Sequence, residues 1–378
     1  MAVLEPVRAR AVIDLVAVAR NCARLARELR GDAELCAVVK ADGYGHGAVE
    51  CATAALAGGA TRLAVAAAGE AEELRAALPD ARILTMGALT TAELDQALAA
   101  DSDVVAWRSQ FAELAGERGV TLGVRPRLHV KYDTGMGRLG EPDPDAVLRL
   151  LDAAAADDRV ELAGLWTHFA TADDLDSAFF DEQLERFEAL AERARDDHPD
   201  LLLHAANSAA TLRDPGSHFD MVRCGIAVYG LDPFGLDPLA RELEPALALH
   251  SYVADVKSFE AGDSAGYGRT WIAERDTLVG VLPIGYGDGV RRLLSNNADV
   301  LVAGARRPLV GTVSMDNITI DLGSDSTVEA GAAATLIGAD GDERILAEEL
   351  AKRIGTINYE ITCGISARVP RHHVASEA

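Results

Sequence analysis

From about residue 34 to residue 225 the chain alternates two textures. Short apolar runs rich in β-branched residues are each followed by an alanine-rich stretch with apolar positions at helical spacing. The runs are LCAVVK (35–40), RLAVAA (62–67), RILTMG (82–87), DVVAW (103–107), RLHVKY (127–132), LAGLWTHFA (162–170), LLLHAAN (201–207) and DMVRCG (220–225). Between them lie segments such as AEELRAAL and FFDEQLERFEALAERA, which read as amphipathic helices. Eight strands with helical crossovers in about 200 residues predict an α/β fold, an N-terminal (β/α)8 TIM-like barrel, in preference to an open doubly wound sheet. Near residue 240 the pattern changes. LALHSYVADVKSF, TLVGVLPIGYGDG, VLVAGARRPLVGTVSMDNITIDL and AAATLIGADG are short strands parted by Gly and Asp turns, with little helix. They predict a C-terminal mostly-β domain. The opening RARAVIDL also reads as strand, and the expected division is 1–240 for the barrel and 241–378 for the β domain, with residues 1–14 packing with the latter.

Composition narrows the function more than the fold. Of 378 residues 49% are apolar, enough to build a large core. The net charge of −24 disfavours nucleic acid and anionic membrane surfaces, both of which call for clustered Lys and Arg. The five cysteines, Cys22, Cys36, Cys51, Cys224 and Cys363, are scattered and form no C-x-x-C pair, which fits a reducing, cytoplasmic location. No signal peptide or membrane span is read from the sequence. His46, His168, His204, His372 and His373 lack the spacing of a metal site.

In barrels of this kind functional side chains stand at the C-terminal ends of strands. Here those ends carry Lys40, Lys131 with Tyr132, His168, Asn207 with Ser208, and Arg223. Each alone has a structural explanation: a lysine snorkels to solvent, a histidine satisfies a core, an arginine pairs with an acid. Gathered at one mouth they suit imine formation with a carbonyl cofactor. A desolvated lysine offers its neutral amine as a nucleophile. The small residues of ANSAAT and RCGIAVYG, with Ser208, Gly225 and Ile226, offer hydroxyl and backbone N–H groups to a phosphate.

AVVKADGYGHG resembles the cofactor-lysine signature of the bacterial alanine racemase family. VKYDTGMGRLG, THFATADD, HAANSAATL, VRCGIAVYG, GYGRTW, IGYGDG, VSMDN and YEITCGISARVPR follow in family order along nearly the whole chain. The resemblance implies pyridoxal 5'-phosphate as cofactor, L- and D-alanine as substrates, D-alanine supply for peptidoglycan, and a homodimer whose sites each use both chains. Lys40 matches the residue that holds the cofactor covalently, and Tyr267 the second catalytic base, which reaches the partner's site. Arg223 matches the arginine at the pyridine nitrogen, and His168 the histidine that links it to the tyrosine. Tyr44, Asn207, Ser208, Gly225, Ile226 and Tyr359 fall at cofactor-binding positions. Arg138, Met315, Asp316 and Tyr286 match substrate-side residues, and Lys131 a lysine that is carbamylated in many members. Three positions depart from the family pattern: Gly266 for serine, Gly287 for alanine, and Asn317 for glutamine. The extra glycines are expected to loosen the access loop. The competing readings are a broader serine-type racemase and a pyridoxal decarboxylase of the same architecture. The second places an acid where Arg223 stands.

Overall fold

The computed structural model describes residues 8–375, so the first seven residues of the expected 1–14 segment lie outside the described chain. It divides into two compact units. Of the described residues, one comprises Val18–Gly43 and Ala48–Val228; the other comprises 8–17, Tyr44–Gly47 and 229–375. A strand β1 (Arg10–Asp14) opens the described chain and belongs to the second unit.

The first unit is built on eight parallel strands: β2 (Glu34–Val38), β3 (Arg62–Val65), β4 (Ile83–Thr85), β5 (Ser102–Ala106), β6 (Arg127–Lys131), β7 (Glu161–Trp166), β8 (Leu202–His204) and β9 (Met221–Cys224). Each pairs with the next from β2 to β8, and β9 returns to pair with β2, with Cys36 opposite Arg223. Asp220 N donates to Leu203 O (3.0 Å) and Arg223 N to Ala206 O (2.9 Å), which nearly completes the ring. The strands read as continuous apolar runs because helices cover the sheet and side chains fill its interior; all five residues of β5 are buried. Helix starts follow local chemistry. Thr90 and Glu93 form a reciprocal cap on Thr91–Ala99, and Asp143 caps Pro144–Ala156. Helix Phe179–Asp197 buries Phe180, Leu184, Phe187, Leu190, Ala191 and Ala194 along one stripe.

Several predicted strands run past the observed ones. LAGLWTHFA leaves the ladder at Trp166, LLLHAAN at His204 and LCAVVK at Val38. In each case the residues beyond the ladder form the barrel's rim, and hydropathy alone does not separate rim from ladder.

In the second unit β1 pairs antiparallel with β10 (Leu247–Tyr252) and parallel with Arg371–Val374. These join a ten-stranded, mostly antiparallel sheet. Strand β10 alternates buried and part-exposed residues, as expected of a sheet with one face on a core. Two short helices, Ala347–Ile354 and Asn358–Cys363, were not predicted from the sequence. The first is a clear amphipathic segment closed by Gly355 in the left-handed region (φ 71°).

Candidate active site

Lys40 sits two residues beyond the end of β2, at the start of a short helical turn, Lys40–Gly45. That turn has the uncommon hand. Ala41, Asp42, Gly43, Tyr44 and Gly45 have φ of 54°, 53°, 60°, 54° and 84°. Left-handed geometry costs roughly 1–2 kcal/mol for each non-glycine residue, so its neighbours must hold it. Gly43 N donates to Val39 O (2.9 Å), Ala41 N to Glu70 Oε1 (2.6 Å) and Ala48 N to Asp42 Oδ1 (3.0 Å).

Arg223, on β9 beside β2, is only 3% exposed. One Nη donates to His204 Nδ1 (3.0 Å); the other donates to Thr167 O (2.8 Å) and Ala205 O (3.0 Å) and reaches His168 Nδ1 at 3.4 Å. All these acceptors are neutral, and among the described residues Arg223 has no ion-pair partner. Burial draws its pKa down to about 10. Burial, then the positive charge of Arg223 and more weakly of Arg138, Lys131 and Lys40, holds His168 well below the ordinary histidine range. His168 is therefore neutral; its Nδ1 accepts from Arg223 and its Nε2 keeps a proton.

Lys131, at the end of β6, is 1% exposed and makes no ion pair among the described residues. Its ammonium stands 4.2 Å from the centre of the Trp166 ring, and the Arg223 guanidinium lies 4.7 Å from the same ring. Nearby Asp133 forms no pair with it and accepts from Gly135 N and Gly137 N. Burial first, then Arg223, Arg138 and Lys40 against the pull of Asp133, lowers the Lys131 pKa to about 7. Arg138 is exposed on the loop that follows β6.

On the far side of β9, Asn207 caps helix Ser208–Arg213 by accepting from Ala210 N (2.9 Å). Ser208 Oγ accepts from Gly225 N (3.0 Å) and Ala227 N (3.4 Å), which draws the rims after β8 and β9 together. Ser208 and Ile226 head helical turns, so their N–H groups lack intrahelical acceptors. The unit thus carries an amine, a cluster of hydroxyl and N–H donors, and a guanidinium at neighbouring strand ends. An aromatic aldehyde with a phosphate arm and a ring nitrogen asks for the same donor set, and these residues fit it.

The second unit gathers the other predicted residues. The Tyr44 ring lies 5.2 Å from that of Tyr229 and 5.9 Å from that of Tyr359, and His46 stacks on Tyr229 at 4.5 Å. Tyr267 stands between Gly266 (φ 74°) and Gly268 (φ 73°) and is 73% exposed. Thr312 Oγ1 donates to its carbonyl (2.8 Å). Tyr286 N donates to Ser314 O and Gly287 N to Met315 O, both at 2.9 Å, which couples the loops of Tyr286 and of Met315 and Asp316. Arg368 holds Asp316 (2.7 Å), and Arg8 grips the buried Asp288 with two hydrogen bonds of 2.6 and 2.7 Å. These bonds tie the Tyr286 loop to its neighbours. A Cβ on Gly287 would overlap Arg368, and Gly266 adopts a backbone that other residues rarely take.

Sequence reasoning missed Trp166, and it placed His204 only among histidines without metal spacing. The period of two along a strand was the available signal. It puts Gly164, Trp166 and His168 on one face of β7 and its extension, as it puts His129 and Lys131 on one face of β6. Among the described residues no group of His, Cys, Asp and Glu is placed to hold a metal ion, and no helix is long and apolar enough to cross a membrane.

The models of the alanine racemase N-terminal and C-terminal domains match residues 13–233 and 246–373. The alanine racemase of Symbiobacterium thermophilum is 43% identical over 364 residues, covering 96% of this chain and 96% of that protein. That of Geobacillus stearothermophilus is 43% identical over 366 residues, covering 96% and 92%. The crystal structure of alanine racemase from D-cycloserine-producing Streptomyces lavendulae superposes with a TM-score of 0.93 at 36% identity, covering 99% of both chains.

Proposed function

Because the chain belongs to the alanine racemase family, we propose that it interconverts L- and D-alanine with pyridoxal 5'-phosphate and two bases, Lys40 and Tyr267 of the partner subunit. The observation that carries the reading is the placement of Lys40 and Arg223 at the ends of neighbouring strands β2 and β9, with the Ser208, Gly225 and Ile226 donors alongside. Lys40 would hold the cofactor's aldehyde carbon, Ser208 with the N–H groups near Gly225 and Ile226 its phosphate, and Arg223 its ring nitrogen. When bound, the cofactor supplies an electron sink that makes the substrate's Cα proton acidic.

Racemisation removes that proton from one face and returns one to the other. Two bases on opposite sides do this without turning the substrate. Lys40, once freed as an amine, serves one side. The phenol of Tyr267 of the partner subunit serves the other, and the neutral His168 offers a ring N–H that stabilises the phenolate. Arg223 donates a hydrogen bond and keeps its proton, which a carboxylic acid in its place would not. This separates the racemase reading from the decarboxylase one. Arg138 would meet the substrate carboxylate. In a dimer, Tyr286 of the partner subunit, Met315 of the partner subunit and Asp316 of the partner subunit would narrow the mouth to a small side chain. The D-alanine formed would serve peptidoglycan synthesis in the cytoplasm.

The test is to incubate the purified, cofactor-loaded protein with L-alanine, L-serine and L-lysine and to resolve the enantiomers. L-Alanine should approach equal amounts of both forms, and L-serine should also react, though more slowly, because an apolar pocket rejects an added hydroxyl only weakly. Carbon dioxide released from L-lysine would instead establish the decarboxylase.

Lys131 yields a separate prediction. With a pKa near 7 its amine is largely neutral above that pH and can take up carbon dioxide. A carbamate would replace an amine, whose cationic form repels Arg138, with an anion that attracts it. In 13C-bicarbonate at pH 8 a carbamate carbon resonance should appear; it should fade below pH 7 and be absent in Lys131→Met. The same spectrum in both proteins at pH 8 would rule the modification out.

A further inference from the structure

The barrel interior holds a line of polar groups that leaves the site at Arg223 and continues through residues for which the reaction above has no use. It begins at Arg223, whose Nη1 donates to His204 Nδ1 (3.0 Å). His204 Nε2 and His129 Nδ1 are 2.9 Å apart, and His129 Nε2 and Asp103 Oδ2 are 3.2 Å apart. Every member is buried: His204 0%, His129 1%, Arg223 3% and Asp103 6% exposed. At its far end Asp103 also meets Arg127 and, at 3.8 Å, Arg62, and it lines a crevice of about 630 Å³ at the strands' N-terminal ends.

The chemistry permits one direction for this line. A guanidinium can only donate, so His204 Nδ1 is bare and its proton sits on Nε2. That proton must go to His129 Nδ1, so the His129 proton sits on Nε2 and goes to Asp103. The carboxylate can only accept. A cation at one end and an anion at the other thus set both tautomers, and two neutral rings join them.

The fold makes room for the arrangement. Gly164 on β7 stands opposite His129 in the strand register, and a Cβ there would overlap His129 Nδ1. The ladder between β6 and β7 is irregular between Leu128 and His129. Trp166 lies parallel to His204 at 5.7 Å, interplanar angle 2°, and fixes the ring's plane.

We propose that Asp103, acting through His129 and His204, is the remote counter-charge of Arg223 and a positioning residue of the racemase site. Arg223 has no acid of its own, and a lone buried cation is costly. The line links it to a carboxylate at a distance, one shared with Arg127 and Arg62. The pinned Nη1 fixes the guanidinium plane and so aims its other edge at Thr167, Ala205 and His168. A nearer acid would compete with the cofactor for the guanidinium.

The proposal rests on the reading of Arg223 as cofactor-facing; the histidine arrangement does not. 15N-histidine spectra of the cofactor-loaded protein should show His129 and His204, assigned by substitution, as neutral rings protonated on Nε2. Protonation on Nδ1 in either ring would overturn the line whatever the enzyme's activity. His129→Leu and Gly164→Ala should each lower kcat by about tenfold with little change in KM, and should shift the visible band of the bound cofactor. His129→Gln, which keeps a donor and an acceptor, should recover most of the loss. Asp103→Asn keeps the hydrogen bond and removes the charge, so kcat should fall there too. Unchanged kcat in a folded Asp103→Asn protein would refute the counter-charge role. Should a variant fail to fold, the wild-type tautomers still decide whether the line exists. A wild-type protein that racemises nothing would refute the function but leave the spectra to judge the line.

Discussion

Lys40→Ala is expected to give a folded protein that neither racemises alanine nor retains cofactor through borohydride reduction and denaturation. The wild-type chain, treated in the same way, should gain the mass of the reduced cofactor. The loss of rate should be at the upper end of what a positioned base contributes, about 10⁴-fold or more, because one amine serves as both anchor and base. Added small amines should restore part of the proton-transfer role without restoring the covalent mass. A Lys40→Ala protein that still carries cofactor covalently would show that another amine holds it.

Tyr267→Phe removes one oxygen from a side chain that is 73% exposed in the single chain, so stability should change by no more than about 0.5 kcal/mol. Racemisation should fall by about 10²- to 10⁴-fold. In deuterium oxide the Cα proton of one enantiomer should still exchange, because Lys40 continues to work on its own side. The decisive form of the experiment mixes two dead proteins. Each subunit of a Lys40→Ala homodimer lacks the amine, and each of a Tyr267→Phe homodimer lacks the phenol. If every site takes one group from each chain, a mixed dimer holds one intact site and one doubly damaged site. Dissociating and reassembling equal amounts should then recover roughly a quarter of wild-type activity by the statistics of a two-fold dimer. If both groups came from the same chain, the mixture would stay inactive.

The barrel was legible because its strands are buried on both faces. Runs such as DVVAW have few other places to go in a chain with this much alanine-rich helix between them. The rim was less legible. His168 and Asn207 are read as strand residues although they lie beyond the ladder, since hydropathy does not record where hydrogen bonding stops. Lys40, Lys131 and Arg223 could be picked out as polar ends of apolar runs. Tyr267, Met315 and Asp316 could not, because they sit in turns of a β unit where exposed polar and aromatic residues are ordinary, and only the family resemblance singled them out. The Asp103–His129–His204 line was present in the period of two along each strand, but it needed the order of strands around the ring before the faces could be joined. The surroundings of the glycine departures were not legible for a related reason. A sequence shows that Gly287 has no side chain, and it does not show that Arg368 occupies the vacated space.

The turn after Val39 winds against the preference of its own residues. Cut free as a peptide, the segment from Ala41 to Gly45 would have no reason to keep that sense, since alanine, aspartate and tyrosine all favour the opposite one. The amine's bearing is therefore dictated by contacts with distant parts of the sequence, Glu70 among them. It can be set only after those parts have assembled, so a nascent or loosened chain would own the lysine and not yet the reagent.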